Sequence, residues 1–234
     1  MSIYVVKIFN NLLIIPMKKP LHSFISIIVL TIGLVNCSAD KPLKRELVRI
    51  WNEDQEIRNE YSEALSTLGK GSPVVDSLVK TMRVQDSAHL AYISKIFDEK
   101  GWVGIDRIGQ IANNTFFLVI QHSDLKTQQK YLPLMRKAVK EGKTEPDLLA
   151  LLEDRVALGE GRKQVYGSQV NWNQYTSQHY VAPLEDPDNV DKRRREVGLD
   201  PMAHYLKQWN LDWDADEYKK QLPQIELLLQ KETP

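Results

Sequence analysis

The sequence predicts a mainly α protein: a single helical domain of about six to eight helices over residues 43–234, with an irregular loop or small hairpin near 162–187. Three observations predict it. Apolar residues recur at gaps of three and four through most of the chain, the period of one helix face. Gly- and Pro-bearing breaks separate these runs. From Gly161 onward that period gives way to Asn, Asp, Pro and aromatic residues.

Residues 1–36 stand outside that domain. From Met17 the chain reads "MKKPLHSFISIIVLTIGLVNC": Lys18 and Lys19 form a positive start, and Leu21–Val35 form an apolar run of fifteen residues. That is shorter than the roughly 20 residues a spanning helix needs, and it has the build of a secretory signal. It ends on Cys37, the chain's one cysteine, and looks like a bacterial lipoprotein signal in which cleavage leaves a lipidated Cys37. Asn36 departs from the usual small residue before the cysteine. A plain signal peptide and an uncleaved anchor helix are the alternatives. Residues 1–16 read as an over-long gene start before Met17, or as part of a longer signal with a broken apolar region. Residues 37–42 are then the lipidated cysteine and its tether. One cysteine leaves no internal disulfide, so 198 residues must cohere by core burial, ample for one domain.

The helices follow in order. Leu43, Leu47, Ile50, Trp51, Ile57, Tyr61, Ala64, Leu65 and Leu68 mark the first, which "GKGSP" ends. Val75, Leu78, Val79, Met82, Leu90, Ile93, Ile96 and Phe97 mark a second over 74–99, ended by "KGWVG". A third, 105–122, is apolar nearly all round and therefore central. Helices over 125–140 and 147–158 come next, the latter with Pro146 suited to its first turn. Beyond the 162–187 loop, helices are expected over 190–197 and 214–231.

Polar residues on apolar faces are the informative exceptions, because burying them unpaired costs about 1–3 kcal/mol. Asp54 lies in line with Ile50, Ile57 and Tyr61, one turn from Arg58, and Asp86 and His89 interrupt the second helix's stripe. His122 continues the line Ile108, Ala112, Thr115, Val119, flanked by Gln121 and Asp124; Arg155 shares the face of Leu148, Leu151 and Leu152, beside Asp154. "GRKQVYGSQ", residues 161–169, follows, and an extended backbone there would project Gln164, Tyr166 and Ser168 together.

Together, Asp54-Gln55-x-x-Arg58, Gly101-Trp102, Gln121-His122-x-Asp124, Asp154-Arg155-Val156, Gln164-x-Tyr166-Gly167-x-Gln169 and Arg194-x-x-x-Gly198-Leu199 resemble a bacterial family of domains of unknown function. The resemblance covers about residues 43–208 and implies a secreted or lipid-anchored context, without implying an activity. Ser168 stands where the family usually has threonine, which keeps the hydroxyl.

Three functional readings stay open. One is a binding module for a small anionic or amide-bearing ligand, lined by Asp54, Arg58, Gln121, Arg155, Gln164, Tyr166, Gln169 and Arg194; glutamine amides recognise by paired donor and acceptor, and guanidinium forks suit anions. Another is a water-activating hydrolase with His122 as general acid or base and Asp124 and Asp154 as partners. The last is a non-catalytic structural or interaction domain whose polar motifs bond to one another. No G-x-S-x-G elbow, P-loop or H-E-x-x-H appears. Asp86-x-x-His89 with His122 and Asp124 could ligate a metal, but the spacing arises easily by chance, and neither metal nor cofactor is expected.

Without residues 1–36 the chain has 28 bases against 31 acids, which is no nucleic-acid footprint. Lys192–Glu196, "KRRRE", reads as a charged helix end with local acidic partners. The expected partners are a membrane, through Cys37, and a small molecule or component of the bacterial cell envelope.

Overall fold

The computed structural model describes residues 40–173 and 176–232; Cys37, the signal region and the tether up to residue 39 lie outside the described residues. The protein is mainly α, with one two-stranded sheet among the described residues. Contacts divide it into two compact units, one ending at Phe116 and the other beginning at Phe117. Among the described residues, no helix is long and apolar enough to cross a membrane.

The first unit is built on α1 (Lys41–Leu68) and α2 (Pro73–Lys100). They run antiparallel, since Arg58 meets Asp86 while the earlier Glu53 meets the later His89. Ile57 and Tyr61 of α1 close on Val75 and Met82 of α2, each side chain contributing about 1.5–3 kcal/mol when fully buried. The "KGWVG" break does more than end a helix. It delivers Trp102 into the core, stacked on Phe97 with ring centroids 5.4 Å apart and edge-on to Phe116 at 5.3 Å.

The expected third helix, 105–122, is two helices: α3 (Ile105–Ile108) and α4 (Gln110–Gln121). Gly109 divides them. Its φ of +80° lies in the left-handed region that glycine enters without cost, and its N–H closes α3 onto the Ile105 carbonyl at 2.8 Å. The apolar period runs across that bend, which hides it from the sequence. Residues Ala112 to Ile120 are all buried, in keeping with the all-round apolar pattern. The polar residues in this run are satisfied locally: Asn113 Nδ2 donates to the Val103 carbonyl at 2.8 Å, and the Thr115 hydroxyl lies 3.0 Å from the Leu47 carbonyl.

In the second unit, α5 (Leu125–Lys140) packs on α6 (Pro146–Gly159). The end of α6 is closed by Gly161 N–H to the Leu158 carbonyl and Arg162 N–H to the Ala157 carbonyl, the paired bonds of a Schellman stop. The 162–187 loop carries a small hairpin, as expected: β1 (Val170–Asn173) pairs antiparallel with β2 (Gln178–Val181), Val170 opposite Val181. A lone two-stranded hairpin is marginal in water, so its base needs support. Tyr218 of α9 (Ala215–Glu232) gives some, accepting from Leu184 N–H at 2.7 Å and donating to the Ala182 carbonyl at 2.9 Å. Between α7 (Val190–Glu196) and α9 lies a segment the helical pattern did not anticipate. It comprises α8 (Met202–Tyr205) and a 3₁₀ turn, Leu206–Trp209, and it buries Met202, Leu206 and Trp209.

Candidate functional site

Asp154 sits on α6 with no exposed surface. Its carboxylate accepts four contacts from three backbone N–H groups: Val165 to Oδ1 at 2.7 Å, Tyr166 to both oxygens at 2.9 and 3.2 Å, and Ser168 to Oδ2 at 2.9 Å. Burial pushes its pKa above the usual carboxylate value, and the three N–H groups pull the other way. Hydrogen bonds to a charged group contribute about 1.5–3 kcal/mol each. Asp154 thus acts as an anionic knob on which the loop's backbone folds.

Gln164, equally buried, closes the same loop with its primary amide. Oε1 accepts from Gln169 N–H at 2.8 Å, while Nε2 donates to the Gln169 carbonyl at 3.0 Å and the Ala182 carbonyl at 2.9 Å. The side chain stands in for a peptide unit between two strands of backbone, with both donors and the acceptor used. Its own main chain bonds to the far side of the hairpin base: Gln164 N–H to the Pro183 carbonyl and Glu185 N–H to the Gln164 carbonyl, each 2.8 Å.

A third clamp comes from α7 and α8. Arg194, 1% exposed, donates from Nη1 to the Tyr166 carbonyl at 2.6 Å and from Nε to the Asp200 carbonyl, and its guanidinium lies 4.6 Å from the Tyr205 ring centre. Desolvation lowers its pKa from the ordinary arginine value. Tyr205 donates its hydroxyl to the Ser168 carbonyl at 2.6 Å, and burial raises that hydroxyl's pKa strongly. The main chain of Tyr166 is therefore held in both flanking peptide groups, its N–H by Asp154 and its carbonyl by Arg194. The backbone is not extended here. Gly167 has φ +67°, so Gln164 and Ser168 turn inward and Tyr166 is left half-buried. A Cβ on Gly167 would also come within 2.8 Å of Met202 Sδ. Neighbouring Arg193 of the basic run bonds to the Val165 and Glu185 carbonyls and to Asp186, as its local acidic surroundings predict.

The other nominated residues fall around this clamp or elsewhere. Gln169 Nε2 reaches Ser168 Oγ at 3.0 Å. Gln121 is buried; its carbonyl accepts from Gln128 Nε2 at 3.0 Å, and its own Nε2 has no hydrogen-bond partner among the described residues. His122 is half-buried just past the end of α4, its backbone N–H bonded to the Leu118 carbonyl. Asp124 caps α5, accepting Thr127 N–H at 2.8 Å, and its bonds to Thr127 hold its pKa below the usual carboxylate value. Arg155 is half-buried, and its charge is felt by the Tyr205 hydroxyl. The Tyr166 hydroxyl is pushed up by burial and by Glu153.

In the first unit, Arg58 joins both carboxylates the sequence singled out: Nε to Asp54 Oδ1 at 3.0 Å and Nη2 to Asp86 Oδ1 at 2.7 Å. His89 turns to Glu53 instead, Nε2 to Oε2 at 3.3 Å. The Asp86-x-x-His89 pair is thus split between two partners on α1.

Sequence reading passed over Asp147, as it did the clamping tyrosines Tyr205 and Tyr218. Asp147, in the first turn of α6, has its pKa raised to about 6 by burial, against the pull of Leu148 N–H. Its place at a helix start gave it the appearance of an ordinary first-turn acid.

Comparison with known proteins returns no match among curated proteins or solved structures. Residues 41–219 match a family of unknown function, DUF6624, and the chain belongs to that family.

Proposed function

We propose that the protein is a lipid-anchored, extracytoplasmic interaction domain of the bacterial cell envelope, non-catalytic, whose polar motifs serve as an internal frame. One observation carries this reading: the Asp154 carboxylate is fully buried and spends its lone pairs on the N–H groups of Val165, Tyr166 and Ser168. A general base needs a lone pair within reach of a substrate proton, and Asp154 holds a loop in that capacity's place. The frame then presents the hairpin, whose half-buried Trp172, His179 and Tyr180 are side chains fit for recognition. Anchoring through Cys37 is supported by the basic start, short apolar run and cysteine of the signal region.

The test separates frame from site. Asp154→Ala and Gln164→Ala are expected to lower the melting temperature by roughly 10 °C or more, since several kcal/mol are lost. Unchanged melting would overturn the frame reading. Cys37→Ser is expected to release the protein from the membrane fraction; retention there would overturn the anchor.

A second reading, a pocket for a small anionic or amide-bearing ligand, is favoured by two buried donors without partners among the described residues, Gln121 Nε2 and Arg194 Nη2. A thermal-shift screen with carboxylates, phosphates, amides and peptidoglycan fragments tests it. A stabilising compound whose effect disappears in Gln121→Leu supports it, and a screen without any stabilising compound removes it.

A further inference from the structure

The start of the first unit carries charge that its internal bonds do not use. Lys41, Lys44 and Arg45 fall within the first five residues of α1, all are exposed, and no acid stands in the helix's first turn. Cations there face the positive pole of the helix dipole, an unfavourable placement that nearby anions would relieve. None of the three makes a salt bridge among the described residues, and adjacent Glu46 is taken by Arg49.

The same end is fixed firmly in the fold. Asp40 is buried, and Arg107 of α3 grips its carboxylate twice, Nε to Oδ2 at 2.8 Å and Nη2 to Oδ1 at 3.0 Å. Lys44 lies alongside the end of α3, where a Cβ on Gly109 would meet its Nζ at 3.4 Å. The first turns of α1 and helix α3 therefore share one surface. On it Lys41, Lys44, Arg45 and Arg107 outnumber Asp40 and the exposed Asp106.

Cys37 precedes Asp40 by three residues, at most about 11 Å of chain. A tether that short, ending on a residue locked by Arg107, leaves the anchored unit little choice of which end meets the bilayer. We propose that the face formed by Lys41, Lys44, Arg45 and Arg107 lies against an anionic phospholipid surface and sets the orientation of the first unit there, an inference that rests on Cys37 as the lipidated residue.

The single cysteine makes a direct experiment available. Cys37 of the mature chain is coupled to a maleimide-bearing lipid in vesicles, which holds the protein at a bilayer whether or not cells lipidate it. Amide exchange is compared on vesicles of phosphatidylcholine alone and of phosphatidylcholine with phosphatidylglycerol. Exchange over 40–47 and 105–109 is expected to slow only on the anionic vesicles, to recover in high salt, and to recover in the Lys41→Gln, Lys44→Gln, Arg45→Gln variant with melting unchanged. For the uncoupled Cys37→Ser chain, partition onto the anionic vesicles is expected to weaken about fivefold per base removed. Equal exchange on both vesicle types overturns the proposal. Membrane release of Cys37→Ser in cells reads anchoring alone. A chain that is retained there yet shows the anionic protection loses the lipid anchor and keeps the face; the reverse pattern loses only the face.

Discussion

Gln164 shows why a polar residue in a segment with no helical period can be indispensable without touching a ligand. Its amide supplies two donors to the carbonyls of Gln169 and Ala182 and one acceptor to Gln169 N–H. Gln164→Glu keeps the shape and removes both donors, placing acceptor against acceptor in a buried site. A loss of about 3 kcal/mol or more is expected in urea unfolding at pH 7, partly recovered near pH 4 where the new carboxyl takes a proton. A loss below 1 kcal/mol would mean that the amide bonds contribute little. Asp147 gives a prediction of the opposite kind. Its folded pKa, about 6, lies above the ordinary 3.8, so between those values the folded state holds the extra proton. Stability from this group is therefore full below pH 4 and declines as pH rises through 6, by up to about 3 kcal/mol. Asp147→Asn is expected to flatten that dependence and to be more stable than the parent at pH 8; a steeper profile or a destabilised variant at pH 8 refutes it. The sequence singled out Asp154, Gln164, Gln169 and Arg194 through the motifs of the family resemblance; by helical period alone, Asp154 stood out only as the neighbour of Arg155. It could not show their partners, because those are mostly backbone groups, which every residue has.

Among the elements, α1 and α2 were legible nearly to their ends, because their periodic apolar runs are long and Gly69 and Gly101 stop them. The bend at Gly109 and the α8 segment were not: the first leaves the apolar period intact, and the second is too short to establish one. The α1–α2 pair is latched by Arg58 between Asp54 and Asp86. Arg58→Met takes the cation from a carboxylate that is 2% exposed, and removing one partner of a buried pair costs about 3–5 kcal/mol. A fall in that range is expected by thermal or urea unfolding. A neutral result would show that Asp54 does not depend on Arg58. The loop that reads as a polar turn is held from α6, α7 and α8 at once, and Gly167 is the point where it must bend. Gly167→Ala is expected to cost about 2–4 kcal/mol, from the left-handed φ and from contact with Met202. Met202→Ala opens a cavity of its own in the core, so the comparison is made in that background: there Gly167→Ala should recover only part of its cost, since the contact is relieved but the φ is not. Full recovery would mean that crowding alone required the glycine.

Over the whole molecule, the balance of charge says less than its placement. Equal counts of 31 bases and 31 acids conceal a basic start to α1, gathered next to the only cysteine. Under the proposed anchor, the state of that one sulfur decides where the protein resides. With one cysteine no internal disulfide can form, and burial, hydrogen bonds and ion pairs hold the fold. Melting is accordingly expected to be the same with and without reductant. A free Cys37 thiol in an oxidising compartment would instead join two chains, since an unpaired cysteine there is open to intermolecular pairing. A lipidated sulfur has no thiol to oxidise. Protein extracted from membranes should therefore run as a single chain in non-reducing electrophoresis after exposure to oxidant. A dimer band that disappears on reduction would show Cys37 to be a free thiol, and the anchor would then have to be the apolar run before it.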